Sequence, residues 1–330
     1  MKLEPQPTII GLDVGGTKTA IVEGTSCGKI LQRQEVSTEP DRPFDETFPQ
    51  IAAIVDQGQS TAQSGGRRPA ALSVSIGGPL RIQEGFVINP PHLLGWHNLP
   101  LRHRLEKRFP ALPVFVEHDG NAGALAEFHF GVGRGLKDLR HLIFLTFGTG
   151  LGAGIIVNGD IVHGASDTAG EVGHWRLAQD GPVGFGKAGS WEGFASGKGL
   201  VQLASKMFPQ RWTQHAAIRD LVEAMLADDP DALVVATEAG RWMGRGMALL
   251  IDAFNPQIIV LGSLAVALGE RVLGPARREV EEEALPQAVA ACRIVPSALG
   301  KHIGDVASLM AAITRHAAIR NAAAENVCND

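Results

Sequence analysis

The chain has 330 residues, which is long for one hydrophobic core and favours two domains. Its formal net charge is −5, and its basic residues are scattered, which argues against nucleic acid or an anionic membrane as the main partner. Cys27, Cys292 and Cys328 match no metal-ligand spacing and no disulfide framework, which favours a reducing compartment. Since no apolar run is long enough for a membrane span or a signal segment, we expect a cytoplasmic protein.

The first strong pattern is an apolar run on each side of a glycine pair, at residues 11–22. Two strands joined by a tight turn are predicted, because Gly15 and Gly16 can adopt φ > 0 and leave no Cβ in the way. Backbone N–H groups at such a turn can approach an anion closely, and Asp13 before it could hold a hydrated magnesium ion. An ordinary hairpin turn fits these residues equally well.

The rest of the first half is predicted to alternate strands and helices. Apolar residues at helical spacing predict a helix, and short apolar runs predict buried strands. The predicted elements are a strand at 28–36, a helix at 43–62, a strand at 70–76, a helix at 99–109 and a strand at 113–116. The strand at 70–76 ends in Gly77-Gly78-Pro79, which by itself indicates an ordinary turn.

The strand at 113–116 leads into Glu117-His118-Asp119-Gly120-Asn121, and an alanine-rich helix begins at once. A carboxylate between a strand and a helix lies near several unsatisfied N–H groups. From these residues alone, Asp119 is therefore interpreted as a helix N-cap.

A second glycine-rich turn between two strands lies at residues 142–157, with Gly148, Gly150 and Gly152 in it. No helix follows these glycines, as a dinucleotide-binding turn would require, and no Gly-Lys-Ser/Thr ending is present for a Walker loop. Two such hairpins, more than a hundred residues apart, predict one phosphate cradle in each half of a duplicated fold. We expect them to face each other across a cleft that holds a nucleotide triphosphate.

After the second hairpin, Glu171 and His174 are three residues apart and could both reach one small polar ligand. Without further context, they would be solvated surface groups. The remaining predicted elements are a helix at 231–254, a strand at 258–263, a strand at 292–296 and a helix at 304–319.

The two hairpins resemble the phosphate motifs of the actin-like ATPase and sugar kinase superfamily. In particular, Gly148-Thr149-Gly150-Leu151-Gly152 followed by Ala169-Gly170-Glu171-Val172-Gly173-His174 is similar to the ROK family of sugar kinases and repressors. The resemblance implies an α/β fold of two actin-like (ribonuclease H-like) domains that face each other across a nucleotide and sugar cleft. The expected domains are 1–118 and 119–304, with a C-terminal helix in 305–330 that returns to the small domain.

The resemblance also implies roles for individual residues. Asp119 matches the family's general base, and Asp13 the residue that holds Mg²⁺ through water. The implied sugar contacts are Gly78, His92, His118, Glu171, His174 and Glu192. The implied nucleotide contacts are Asp13, Gly15, Gly16, Thr17, Lys18, Thr149, Gly150 and Gly262. His92 and His118 stand where the family usually has asparagine, and Ser263 stands where a second glycine is usual.

Many members of the family carry a cysteine cluster that binds zinc together with the histidine. The matching stretch here is Val183-Gly184-Phe185-Gly186-Lys187-Ala188-Gly189-Ser190-Trp191-Glu192, in which all three cysteines are replaced. Since a closed structural site needs thiolates, we expect no zinc. His174 is then expected to be held by packing against Trp175 or Trp191.

The resemblance implies ATP-dependent, Mg²⁺-assisted phosphorylation of a hexose hydroxyl by a homodimer, with glucose as the first expected substrate. Fructose, mannose, an N-acetylhexosamine and polyphosphate as donor remain open. A sugar-binding protein without turnover is a further alternative. The family's repressors carry a winged-helix segment before the first hairpin, whereas the first strand here begins near Thr8, which disfavours a repressor.

Overall fold

A computed structural model of the chain describes residues 5–320, and their contacts divide them into two compact units. The first unit comprises residues 5–134, 163–169 and 301–320, and the second comprises 135–162 and 170–300. The first part of the chain forms β1 (Gln6–Val14), β2 (Lys18–Gly24), β3 (Ile30–Ser37), α1 (Phe44–Ser64), β4 (Arg67–Ile76), β5 (Leu80–Arg81), β6 (Phe86–Val87), α2 (Leu101–Arg108), β7 (Val114–His118) and α3 (Asp119–His129).

The second unit contains β8 (Leu142–Phe147), β9 (Leu151–Val157), β10 (Asp160–Ile161), β11 (Val183–Gly184), β12 (Lys187–Ala188), α4 (Trp191–Ala195), α5 (Gly197–Met207), α6 (Ile218–Leu226), α7 (Pro230–Phe254), β13 (Ile258–Ser263), α8 (Leu264–Leu268), α9 (Glu270–Glu283), α10 (Pro286–Ala291) and β14 (Arg293–Pro296). The chain then returns to the first unit as α11 (Ile303–Arg315).

The main sheet of each unit has five strands with the same pattern of pairing. The order is β3-β2-β1-β4-β7 in the first unit and β10-β9-β8-β13-β14 in the second. In both sheets the first three strands are antiparallel and the last two are added in parallel. The duplication predicted from the two glycine hairpins is therefore present in the strand order itself.

The central strands of the first sheet are covered on both faces. Strands β1 and β4 are almost continuously buried, which explains why their sequences are apolar runs rather than alternating patterns. Helix α1 packs against β2, β3 and β4, while α11 packs against β1, β4, β7 and α3. These helices cover the central strands. Asp13, near the end of β1, and Asp119, directly after β7, are therefore attached to well-packed backbone.

In the second unit, the 25-residue helix α7 is the centre of the core. It contacts α4, α5, α6 and α9, and its buried side chains include Met243, Met247 and Ile251, in agreement with the apolar face predicted for it. Helices α4, α5, α6 and α9 were not predicted from the sequence. Together they enclose a core that places α4 and α5 beside the second glycine hairpin.

No helix among residues 5–320 is long and apolar enough to cross a membrane. The expectation that the cysteines form no disulfide is wrong for Cys27, which is disulfide-bonded. Cys292 is a free cysteine, and burial raises the pKa of its thiol to about 11. Cys328 lies outside the described residues.

The close approach of α11 to β1 depends on Gly11. A Cβ at this position would overlap Ser308 Oγ and would lie 2.9 Å from Val22 Cγ2. We therefore expect Gly11→Ala to destabilise the protein by about 1–3 kcal/mol, as overpacking of a filled core does. Thermal denaturation followed by circular dichroism measures the change.

The matched control is Gly58→Ala in the interior of α1, where the new Cβ would be at an ordinary distance of 3.6 Å from Ile10 Cδ1. Because alanine is the better helix former, this variant should gain about 0.5–1 kcal/mol. Equal midpoints for the two variants would mean that α11 adjusts without cost at Gly11.

Candidate active site

The β1–β2 hairpin of the first unit ends in the turn formed by residues 15–18, which we call the first cradle. The Gly15 N–H donates to the Lys18 carbonyl at 3.0 Å. Neither Gly15 nor Gly16 adopts a positive φ, so that part of the sequence interpretation is wrong. Glycine is needed at position 16 for space, because a Cβ would lie 2.6 Å from the His92 carbonyl oxygen. His92 therefore borders the first cradle.

Asp13 lies near the end of β1, just before the first cradle. A Cβ at Gly304, in the first turn of α11, would overlap Asp13 Oδ2, so α11 begins directly against this carboxylate. The pKa of Asp13 is raised from 3.8 to about 6, first by burial and then by the nearby carboxylates of Asp119 and Asp305, whose effect exceeds the lowering by Lys18 and Arg33. A cation beside Asp13 would relieve this repulsion.

Asp119 is the first residue of α3, and its side chain is half exposed. The residue in the N-cap position is His118, whose Nδ1 accepts a hydrogen bond of 3.2 Å from the Gly120 N–H. Asp119 Oδ1 accepts from the same N–H at 2.7 Å, whereas Oδ2 lies 3.6 Å from the place a Cβ would take at Gly77. Because His118 serves as the cap, the second oxygen of Asp119 is available at the surface.

His118 also contacts the glycine-proline turn that follows β4. A Cβ at Gly78 would lie 2.8 Å from His118 Cδ2 and 3.0 Å from Nε2, so the imidazole packs directly against this glycine. Within the first unit, the structure thus brings together Asp13, the first cradle, His92, Gly78 and the His118-Asp119 pair.

The β8–β9 hairpin of the second unit ends in residues 148–150, which we call the second cradle. The Gly148 carbonyl accepts from the Gly197 N–H at 2.8 Å, so α5 begins at this turn. Glu192 Oε2 accepts from the Leu151 N–H at 3.0 Å, which fixes the other side of the turn. Thr149 at the tip is exposed. Glu192, predicted from the family as a sugar contact, is therefore also a support of the second cradle.

Ser263, at the end of β13, adopts φ 53° and ψ −118°. This region is costly for a residue with a side chain, by about 1–3 kcal/mol. Its hydroxyl lies 2.9 Å from Thr146 Oγ1, directly before the second cradle. The preceding Gly262 is explained by packing, because a Cβ there would lie 3.1 Å from the Phe144 ring.

Glu171 and His174 lie at the start and the end of one short turn, of which residues Val172–His174 form a 3₁₀ helix. The His174 ring stacks on Phe185 with centroids 4.0 Å apart, and Lys187 Nζ donates to its carbonyl at 2.7 Å. The prediction that Trp175 or Trp191 holds this histidine is wrong, because these two rings stack on each other at 5.8 Å.

Ser190, at one of the three former cysteine positions, closes the neighbouring loop. Its hydroxyl accepts from the Gly193 N–H at 3.1 Å and donates to the Gly184 carbonyl at 3.1 Å. Ring stacking at Phe185 and the hydrogen bonds of Ser190 thus hold this loop in place. Among the residues that the structure describes, no group of three or more His, Cys, Asp or Glu side chains could hold a metal ion.

Magnesium places different demands on a site. It binds through one or two carboxylates together with waters and substrate phosphates, and it does not need a closed protein cage. Asp13 fits this role, because it comes just before the first cradle at the end of β1, and because the carboxylates of Asp119 and Asp305 add to the effect of burial in raising its pKa.

Three residues of the site were missed in the sequence. Asp305 is one, although the prediction that the last helix returns to the first domain gave a signal for it. Phe185 could have been recognised as the ring that replaces a zinc ligand next to His174. Glu117 lies between the predicted strand and Asp119, and its burial could not be read from one sequence.

A family model described as ROK family matches residues 9–314, and the chain belongs to this family. It is 30% identical over 311 residues to a glucokinase of Halalkalibacterium halodurans, a match that covers 90% of this chain and 92% of that protein. It is also 29% identical over 286 residues to a putative xylose repressor of Caldicellulosiruptor sp., covering 84% of this chain and 70% of the repressor.

Among solved structures, a ROK family glucokinase from Streptomyces griseus in complex with glucose and AMPPNP matches with a TM-score of 0.74. The two chains are 31% identical, and the match covers 91% of this chain and 97% of that one. The predicted α/β fold with two actin-like domains is therefore confirmed.

The raised pKa of Asp13 leads to a prediction about stability. Its folded pKa of about 6 exceeds the ordinary value of 3.8, so the folded state binds the proton more tightly and stability falls as the pH rises from 3.8 through 6. Without Mg²⁺ and nucleotide, Asp13→Asn should therefore raise the thermal midpoint at pH 7.5 by about 2–6 °C and by less at pH 4.5.

Differential scanning calorimetry in EDTA at the two pH values measures this effect. The control is Asp160→Asn, which removes an exposed carboxylate from the second unit. A midpoint for Asp13→Asn that equals the wild-type value at pH 7.5 would contradict a raised pKa at this position.

The loop that contains Phe185 and Ser190 leads to a prediction about metal content. We expect no stoichiometric zinc in the purified protein, because neither side chain offers a thiolate. Elemental analysis by mass spectrometry measures zinc per chain, and the thermal midpoint with and without a chelator gives the control. About one tightly held zinc per chain would contradict the prediction.

Proposed function

We propose that the protein is an ATP-dependent sugar kinase that phosphorylates a hexose hydroxyl, with glucose to glucose 6-phosphate as the first expected reaction. The observation that carries this proposal is the half-exposed carboxylate of Asp119, held by the Gly120 N–H beside the magnesium-binding candidate Asp13. The glucokinase relatives, at about 30% identity, support the same reaction class.

In the proposed mechanism, Asp119 Oδ2 accepts the proton of the attacking sugar hydroxyl. The hydroxyl oxygen forms a bond to the γ-phosphorus as the bond to the bridging oxygen breaks, and ADP leaves with the electron pair. Magnesium, when bound, neutralises charge on the phosphate oxygens. The protein's own task is positioning, and for the phosphates we assign it to the backbone N–H groups of the first cradle, which follows Asp13.

The residues proposed to orient the sugar are Gly78, His92, His118, Glu171, His174 and Glu192. For His118 and Gly78, the support is their direct packing beside Asp119. Fructose, mannose or an N-acetylhexosamine as acceptor, and polyphosphate as donor, are alternatives that one coupled assay with a panel of sugars and both donors decides. A cytoplasmic homodimer remains part of the proposal, since ATP as the donor favours that compartment.

A sugar-responsive repressor is the second candidate, and the similarity to a putative xylose repressor favours it. The two candidates differ in what they require of Asp119. A kinase needs its carboxylate as a base, whereas a repressor needs only sugar binding and a DNA-binding surface. Turnover of ATP with a hexose supports the kinase, and sugar-dependent DNA retardation without turnover supports the repressor.

The kinase proposal predicts that Asp119→Asn loses kcat by about two to four orders of magnitude, which is the usual contribution of a general base. The amide can still accept from the Gly120 N–H, so folding and sugar binding should persist. A coupled spectrophotometric assay measures kcat, and calorimetric titration with glucose measures binding.

Asp160→Asn is the matched control, because it makes the same chemical change at an exposed residue at the start of β10. A near-normal kcat in Asp119→Asn would contradict the role of general base. Asp119 would then only accept the hydrogen bond from the Gly120 N–H at the start of α3.

A further prediction concerns sugar selection by His118. Asparagine can replace the imidazole as an N-cap but cannot reproduce its packing against Gly78. We therefore expect His118→Asn to change the relative kcat/KM values among hexoses more than it changes the KM for ATP. Steady-state kinetics over a hexose panel measures both, and a panel that superimposes on the wild type would show that the ring does not select the sugar.

A further inference from the structure

Residues 163–169 form a short loop that belongs to the first unit although the chain on either side of it belongs to the second. We call this loop the strap. It closes on itself, because the Ala169 N–H donates to the His163 carbonyl at 3.1 Å. Asp167 adopts φ 59°, a backbone conformation that is uncommon for residues other than glycine. Neither His163 nor Asp167 has a place in the mechanism above.

The first anchor of the strap is His163, whose Nε2 lies 3.1 Å from Glu117 Oε2 and 3.3 Å from Oε1. The Glu117 side chain is 2% exposed, and its Oε1 also accepts from the His118 N–H and from Asn121 Nδ2, both at 3.0 Å. Arg315 Nη2 contributes a cation at 3.3 Å from Oε2.

The charges in this anchor depend on one another. Burial alone would raise the pKa of Glu117, but the hydrogen bond from His163 and the charge of Arg315 lower it. The hydrogen bond that His163 donates to Glu117 in turn raises the pKa of His163 above its ordinary value. A buried carboxylate that loses a partner is strongly destabilised, so removal of His163 should disturb the backbone that Glu117 fixes.

The second anchor is Asp167, whose Oδ2 accepts from the Ile82 N–H at 2.7 Å. Ile82 is fully buried and lies four residues after Gly78. Arg102 donates to the Ile82 carbonyl at 3.2 Å, so both the backbone N–H and the backbone carbonyl of Ile82 are hydrogen-bonded to side chains. The strap therefore hydrogen-bonds to two segments of the first unit. One leads to Asp119, the proposed base, and the other follows the glycine-proline turn.

We infer that the strap positions the sugar site, with His163 acting on the His118-Asp119 segment through Glu117 and with Asp167 acting on the Gly78 turn through Ile82. This inference rests on the proposed kinase function for its kinetic consequence. His163 and Asp167 are positioning residues, since each acts through another residue. Small misplacements of a reacting group can cost as much as a hundredfold in rate, so the effect should be measurable.

The test compares His163→Ala and Asp167→Ala with the conservative variants His163→Gln and Asp167→Asn, which keep a donor and an acceptor respectively. Ser166→Ala is the matched control, because Ser166 is an exposed strap residue whose hydroxyl bonds only to Thr168 Oγ1 within the strap. The alanine variants should lose about tenfold or more in kcat/KM for the sugar, with the KM for ATP within about twofold of the wild type. The conservative variants should recover part of the loss, and Ser166→Ala should show none.

Hydrogen exchange followed by mass spectrometry gives a second readout that needs no activity. Peptides that cover residues 77–85 should exchange faster in Asp167→Ala, and those that cover 114–122 should do so in His163→Ala. Unchanged exchange, or sugar and ATP parameters that fall together with the thermal midpoint, would overturn the inference. A wild-type protein without kinase activity would instead contradict the proposed function, and the exchange result would still test the strap.

Discussion

The crowding of three carboxylates at one end of the first sheet is the constraint on which the site depends. Strands β1 and β7 both run parallel to β4, so Asp13 and Asp119 emerge at the same edge, and α11 adds Asp305. Their mutual repulsion raises the free energy of the folded protein, and Arg33 offsets part of it through its ion pair with Asp305. The remaining deficit of positive charge makes this edge suited to a cation with phosphate groups.

Different residues hold the glycine turn in the two units. Each presents a glycine turn between antiparallel strands, at the same place in the same strand order. In the first unit the turn is bordered by the backbone at His92, whereas in the second it is fixed by Glu192 and by the beginning of α5. The position of the turn is therefore the same in the two units, whereas the residues that surround it differ.

Features that depend only on residues close together in the chain could be predicted from the sequence. Apolar runs and glycines predicted both hairpins. The neighbours of Asp119 predicted only a helix N-cap, a position that His118 takes in the structure, and its role as a base came from the family resemblance. Contacts between distant segments were not predictable, which is why the space required at Gly16, the capping role of His118 and the anchoring of 163–169 on Glu117 appear only in the structure. The disulfide at Cys27 and the stacking partner of His174 were predicted wrongly for the same reason.

The aromatic contact between His174 and Phe185 changes what this part of the protein requires from the cell. A loop ordered by zinc forms only after the metal has been delivered, and its thiolates are open to oxidation. A loop ordered by ring stacking and by the Ser190 hydroxyl forms as soon as the chain folds. If the prediction that this loop binds no zinc is correct, the turn that carries Glu171 and His174 would keep its order when zinc is scarce.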